Sequence, residues 1–287
     1  MDWNLRELRY FVTALDVGSF TDAARELHVS QAAVSRTIAS LERTVGDRVL
    51  RRIPRGCEPT ATGQQILPHA RRVLSEADRF SDFLRSRQST LRLGYAWAGL
   101  GRHTAALQRT WARDHPDIEL ELVKRNTPTA GLVEGACDVA VLRRTVEDSR
   151  LESVVVGLER RVVAFASDDP QWARRRRLSM AELAERTILI DSRTGSTTGE
   201  MWAGLPARPT FVESSDVDQW LDAIAAGKAV GTTAEATGHH HVRPGVSYRP
   251  VKDGPRIPVR LVWWRDDRPR GLVELVDVVT RLYAGSR

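Results

Sequence analysis

SQAAVSRTIASLE, Ser30 to Glu42, is the stretch on which the reading of the fold turns. Val34, Ile38 and Leu41 recur at helical spacing, so one face of this helix packs against other elements. The remaining face carries Gln31, Ala32, Ser35, Arg36, Thr37 and Ser40. Few of the long Glu and Lys side chains that usually solvate a surface helix are present. A short, hydrogen-bonding outer face tipped with arginine suits entry into a confined polar space.

Working upstream, Leu5, Leu8, Phe11, Val12 and Leu15 form the apolar stripe of a helix from about Asn4 to Asp16, which Gly18 breaks. Ser19, with Asp22 three residues on, is a weak capping box. It opens a second helix, Phe20 to Leu27, that buries Phe20, Ala23, Ala24 and Leu27. His28-Val29 leaves only a short turn before Ser30, which caps the third helix. Histidine is among the residues enriched at positive φ, so that turn needs no glycine. Two helices joined this closely, with the small Ala24 at their crossing, form a helix-turn-helix. The second helix of such a pair enters the DNA major groove by its N-terminal end. Periodicity alone equally allows a three-helix bundle with a polar outside. The following residues favour DNA: from Arg36 to Arg55 six arginines face only Glu42 and Asp47. Val49-Leu50 starts a strand that Pro54-Arg55-Gly56 turns back, a wing whose arginines suit phosphate.

LRELRYFVTALDVGSFTDAARELHVSQAAVSRTIASLERTVGDRVLRR closely resembles the N-terminal domain of LysR-type transcriptional regulators. It matches their pattern SQxAVSxxIxxLExxxGxxLFxRxxR at almost every fixed position. By that resemblance Ser30, Gln31, Ala32, Ser35 and Arg36 face DNA, and Arg52 and Arg55 are the wing residues. Val49-Leu50 stands where the family usually has Leu-Phe, and Arg51 is an added charge. The resemblance implies a homo-oligomeric regulator of double-stranded DNA, and no cofactor is expected; the lack of a signal-peptide or membrane-spanning pattern and the two distant cysteines read as cytoplasmic and reduced. Dimers, and tetramers as dimers of dimers, are its expected assemblies. A small-molecule effector and RNA polymerase are its further expected partners.

Beyond Pro59, Thr62 and Gln65 make a capping box that starts a long helix. Ile66, Ala70, Val73, Ala77, Phe80 and Leu84 step along it at heptad spacing. Such a seam either packs on its own domain or pairs with a second chain. A helix leading out of a small bundle has little else to cover it, which favours pairing. LysR-type regulators similarly dimerise through a linker helix, so Ile66, Val73, Ala77, Phe80 and Leu84 are the expected dimerisation residues. Pro68 should bend or disturb the second turn.

From about Leu91 the pattern alternates. LRLGYA, IELELVK, DVAVL, RVVAFAS, TILID, PTFVE and VRLVWW are short strands. Thr104–Arg113, Ser179–Arg186, Val217–Ala226 and Leu272–Leu282 are helical stretches between and after them. This predicts an α/β region with largely parallel sheets. The resemblance implies an α/β effector domain, periplasmic-binding-protein-like with two subdomains, preceded by an all-α winged helix-turn-helix and a long linker helix. The expected divisions are residues 1–61, 62–88 and 89–287, with crossovers near 163 and 266. Ligands in open α/β sheets bind beyond strand C-termini. That selects loops at residues 97–101, 126–129, 192–198, 214–216 and 232–233, with Trp97, Ala98, Thr127, Thr129, Ser192, Thr194, Thr232 and Thr233 as effector-binding candidates. Carboxylate-binding relatives place Ser or Thr in the first loop. Here it reads Ala96-Trp97-Ala98-Gly99, which points to a bulkier or aromatic ligand, or to none.

The other classes fit less well. With 287 residues, 41% hydrophobic content and a net charge of +6, the chain has material for two or three domains and leans towards a polyanionic partner. MDWNLRELRYF lacks the apolar core of a signal peptide, and no apolar run is long enough to span a membrane. Cys57 and Cys137 have no metal or redox spacing. His239-His240-His241 reads as a solvated loop rather than a metal site, and Arg174–Arg177 as a charged surface turn. An α/β enzyme or small-molecule-binding protein without a transcriptional role is the alternative. No GxSxG, HExxH or phosphate-loop lysine supports catalysis, and pure ligand binding leaves the first ninety residues unexplained.

Overall fold

A computed structural model describes residues 3–54, 56–86 and 89–285, with the side chains of 82–86 excepted. The chain forms two compact units, residues 1–88 with 133–136, and residues 89–132 with 137–287.

In the first unit, α1 (Leu5–Asp16) is fixed by a reciprocal cap. The Asn4 side chain accepts the Glu7 N–H, and Glu7 accepts the Asn4 N–H, both at 3.1 Å. α2 (Phe20–Glu26) starts from Ser19, whose hydroxyl accepts the Asp22 N–H at 3.0 Å. His28 takes φ 55°, the left-handed turn expected of it, and α3 (Gln31–Val45) follows from the Ser30 cap to a left-handed Gly46. β1 (Leu50–Ile53) and β2 (Gly56–Pro59) pair antiparallel as the wing. α4 (Ala61–Ser86) runs through Pro68 without ending. Its cap is Thr60 rather than Thr62: the Thr60 hydroxyl accepts the Gly63 N–H at 3.0 Å, while Thr62 is spent on Asp47. Phe11, Ala14, Ala23, Val34, Ile38 and Leu41 are buried in one core with Ala70 and Leu74 of α4.

The wing returns to the α1–α2 turn by a hydrogen bond from the Cys57 N–H to the Gly18 carbonyl at 2.8 Å. A Cβ on Gly56 would lie 2.0 Å from that same carbonyl, at φ +139°. Gly56→Ala should therefore cost this unit more than about 1 kcal/mol, read as faster amide exchange in β2 and α1.

The second unit contains two five-stranded sheets. The first has the order β4-β3-β5-β12-β6, from β3 (Ser89–Tyr95), β4 (Ile118–Lys124), β5 (Val139–Leu142), β6 (Leu151–Glu159) and β12 (Ile257–Trp264). Helices α5 (Thr104–Asp114) and α9 (Leu272–Ala284) complete its core around the buried Trp111 and Leu275. The second has the order β11-β7-β10-β8-β9, from β7 (Arg161–Ala166), β8 (Thr187–Ile190), β9 (Thr210–Glu213), β10 (Val230–Ala234) and β11 (Val246–Pro250). Helices α6 (Met180–Ala184), α7 (Val217–Ala225) and α8 (Glu235–His240) accompany it.

The sheets are mixed, not largely parallel. β3 pairs in parallel with β4 and β5, and β8 with β9 and β10, whereas β7 and β12 run antiparallel to both neighbours. The reversals follow from the chain leaving the first sheet after Glu159 and returning between Pro250 and Ile257. The return thus precedes VRLVWW rather than lying near 266. No helix among the described residues is long and apolar enough to cross a membrane.

Candidate functional site

On the first unit, Ser30, Gln31, Ala32 and Arg36 are exposed at the N-terminal half of α3, while Val34, Ile38 and Leu41 hold its other face in the core. Arg52 crosses from the wing to this helix. Its Nη2 donates to Ser35 Oγ at 3.0 Å, and its guanidinium sits 4.9 Å from the centre of the Phe20 ring. One cation therefore ties wing, α2 and α3 together. Arg51, the added charge, is neutralised by Glu58 at 2.7 Å. Arg55 lies outside the described residues. What remains exposed on this half of α3 is Ser30, Gln31, Ala32 and Arg36, with the Arg52 guanidinium beside Ser35.

On the second unit, the loops after β3 and β8 meet over β10. Trp97, Ala98, Thr127, Thr194, Thr232 and Thr233 line one cleft with Arg143, Asp191, Thr197, Trp220 and Thr237. Arg143 is its structural anchor. It grips Glu159 with two hydrogen bonds of 2.8 and 2.9 Å and donates to the carbonyls of Ala98 and Gly99 at 2.8 and 2.7 Å. Burial opposes ionisation of Glu159, but the guanidinium and the Tyr283 hydroxyl outweigh it and hold the carboxyl below its usual range.

Asp191 is buried at the end of β8. It accepts the Arg193 N–H at 2.9 Å, the Thr194 hydroxyl at 2.7 Å and the Trp97 indole N–H at 3.2 Å. Beneath the loop after β8, Arg161 donates to the Ser196 carbonyl at 3.0 Å and to Thr197 Oγ1 at 3.4 Å. No carboxylate pairs with it among the described residues, and burial pulls its pKa down to about 10. Arg161 Nε and Thr232 Oγ1 are buried without hydrogen-bond partners. The site thus combines a fixed carboxylate, hydroxyls and one uncompensated cation behind its wall.

Residues 5–64 match the model for the bacterial regulatory helix-turn-helix proteins of the lysR family, and residues 84–283 match that for the LysR substrate binding domain. The chain belongs to the LysR family of transcriptional regulators. The HTH-type transcriptional regulator YnfL of Escherichia coli is 32% identical over 72% of this chain and 72% of its own length. The crystal structure of CbnR, a LysR family transcriptional regulator, superposes with a TM-score of 0.72 at 22% identity, over 98% of this chain and 99% of that one. Full-length CbnR complexed with its target DNA gives a TM-score of 0.69 at 24% identity, over 98% and 100% of the two chains. At those identities the likeness is one of fold.

Within this LysR regulator the expected effector residues divide. Thr129 is buried in the turn after β4, and Ser192 is exposed with its carbonyl taken by Arg144, so neither lines the cleft. Thr232 and Thr233 are strand residues of β10, not loop residues, because VGTTA pairs with β7 and β8. Sequence reasoning passed over Arg143, Asp191 and Trp220. Asp191 ends the strand TILID and was within reach of the strand-end rule. Trp220 lies within the helix α7, away from the strand-end loops that the sequence singled out. Of the seam residues, Ile66 and Val73 pack against their own unit's core, contrary to a seam free for a partner, whereas Phe80 is 62% exposed. Ala77 is half-buried, and the side chain of Leu84 lies outside the described residues. The three histidines also differ from a solvated loop. His239 and His240 end α8, and His241 Nε2 meets the Trp97 carbonyl at 2.7 Å. No metal-binding cluster exists among the described residues.

Proposed function

We propose that the chain reads an operator in double-stranded DNA as a homo-oligomer, with Ser30, Gln31, Ala32 and Arg36 at the base edges and Arg52 and Arg55 on phosphate. The observation that carries this is the bond from Arg52 to Ser35, which sets the wing at a fixed distance from an exposed, short-chained helix face. The related CbnR is known in complex with its target DNA. Phe80, exposed on α4, supports pairing of that helix between two chains, beyond the part held by its own core. Two recognition helices then read two half-sites. A small molecule in the cleft changes the spacing of those helices by preferring one arrangement, which alters access of RNA polymerase to the promoter.

The test is a gel-shift series on an operator selected from randomised duplexes. Arg36→Ala should lose about 1–3 kcal/mol at one base step and little elsewhere. Arg52→Ala should weaken all sequences alike and lower the slope of log K against log salt by about one. Equal losses across sequences for Arg36→Ala would reduce it to a phosphate contact. Binding without salt dependence would overturn the whole reading.

A further inference from the structure

The effector cleft is already occupied by part of the chain itself. Trp97 stands two residues beyond β3 of the first sheet, but its half-buried indole packs against a core cluster of the second, the one that holds Trp220, Leu189 and Leu221. It meets Trp220 edge to face, ring centres 5.4 Å apart at 67°. Its N–H reaches Asp191 Oδ2 at 3.2 Å. Asp191 does not move to receive it, because two backbone N–H groups and the Thr194 hydroxyl already fix the carboxylate. Arg143 likewise fixes the loop backbone just beyond, at Ala98 and Gly99. His241 Nε2 lies 2.7 Å from the Trp97 carbonyl, which only accepts, so that nitrogen carries the proton. With the indole in place the free volume is ≈ 50 Å³, room for a few waters and no more.

A rigid acceptor, a ring platform and little free volume around an indole define what the cleft recognises. We propose that the ligand of this cleft is a planar heteroaromatic carrying an N–H donor, indole being the simplest, and that Trp97 holds its seat as an intramolecular competitor. The proposal rests on the reading of the cleft as the effector site and names the ligand class. The neighbouring Ala96 and Ala98 present no bulk to a rotation of Trp97 about χ1. An incoming ring that replaces Trp97 on Trp220 and Asp191 removes one side-chain link between the two sheets, which is how binding would reach the rest of the chain.

Calorimetry on full-length Trp97→Gly, with indole, 1-methylindole and benzoate as probes, tests this. Indole should bind saturably. 1-Methylindole, which has the ring but no donor, should bind about tenfold more weakly or worse, because its methyl group would stand where the N–H has to meet the fixed Asp191 Oδ2. Wild type should bind indole at least about tenfold more weakly than the variant, since its own side chain competes. Trp97→Phe keeps a ring on Trp220 and loses the donor, so it should fall between the two and covers the case of a poorly folded glycine variant. Equal affinity for indole and 1-methylindole, preference for benzoate, or no saturable binding by either folded variant would overturn the proposal. These titrations need no operator. Failure of the regulator reading would show separately, as a chain that shifts no DNA.

Discussion

Arg143→Ala should destabilise the second unit by about 3–5 kcal/mol at neutral pH, because it leaves a buried carboxylate uncompensated. The Arg143 and Glu159 side chains are only 11% and 2% exposed, so water cannot take over the lost partner. The same substitution strips the Ala98 and Gly99 carbonyls of their donors, which loosens the loop that carries Trp97. The pH dependence gives a second check. In the wild type the Glu159 pKa is lowered on folding, so the pair stabilises above the unfolded carboxyl's value of 4.5 and is lost as pH falls through the lower folded value. In the variant burial is opposed only by the Tyr283 hydroxyl and the His103 ring, so the pKa rises and Glu159 takes up a proton on mild acidification. The deficit should therefore be largest at pH 7 and shrink towards pH 5. Urea unfolding followed by tryptophan fluorescence measures it directly, since seven of the eight tryptophans lie between Trp97 and Trp264. A loss under about 1 kcal/mol would mean that the pair is solvated after all. Adding Glu159→Gln to Arg143→Met should recover part of the loss, because a neutral amide is cheaper to bury than a charge.

How much of this was legible in the sequence depends on how local each cause is. The caps at Ser19 and Ser30 and the left-handed turn at His28 are set within four residues, and the reading from sequence found all of them. Strands β6, β10 and β11 were not found, because their identity is conferred by a partner far away. Val230–Ala234 is a strand through β7 and β8, and its two threonines look like loop residues until that pairing exists. The cleft shows the same division. Strand ends pointed to loops that do converge, since Thr127, Thr194 and Trp97 line one cleft, but not to which side chain turns inward. Asp191 was passed over in favour of the exposed Ser192 beside it. The seam on α4 was visible as a period. What period cannot tell is whether the covering surface belongs to the same chain, and Ile66 and Val73 turned to their own core while Phe80 did not.

Phe11→Ala should cost the DNA-binding unit about 3–5 kcal/mol, the usual loss for a large aromatic deleted from a packed core. Phe11 has no exposed surface, and it shares a core with Val34, Ile38 and Leu41, the residues that seat the recognition helix. A unit of this size holds on the order of 5–10 kcal/mol in all, so the change removes a large fraction of it. Because each 1.4 kcal/mol is a factor of ten, amide exchange in α3 should accelerate by roughly a hundred- to several-thousand-fold. The two units are separately compact, so amides of β7 and β10 should keep their wild-type rates. That contrast is the decisive part. Acceleration confined to residues 5–45 assigns the loss to the helical core alone, whereas uniform acceleration through both units would mean that they unfold as one. Phe11→Leu, which refills most of the volume, should give a much smaller change of the same pattern. A rate in α3 that stayed within about threefold of wild type would show that the apolar face of SQAAVSRTIASLE is held by something other than this core.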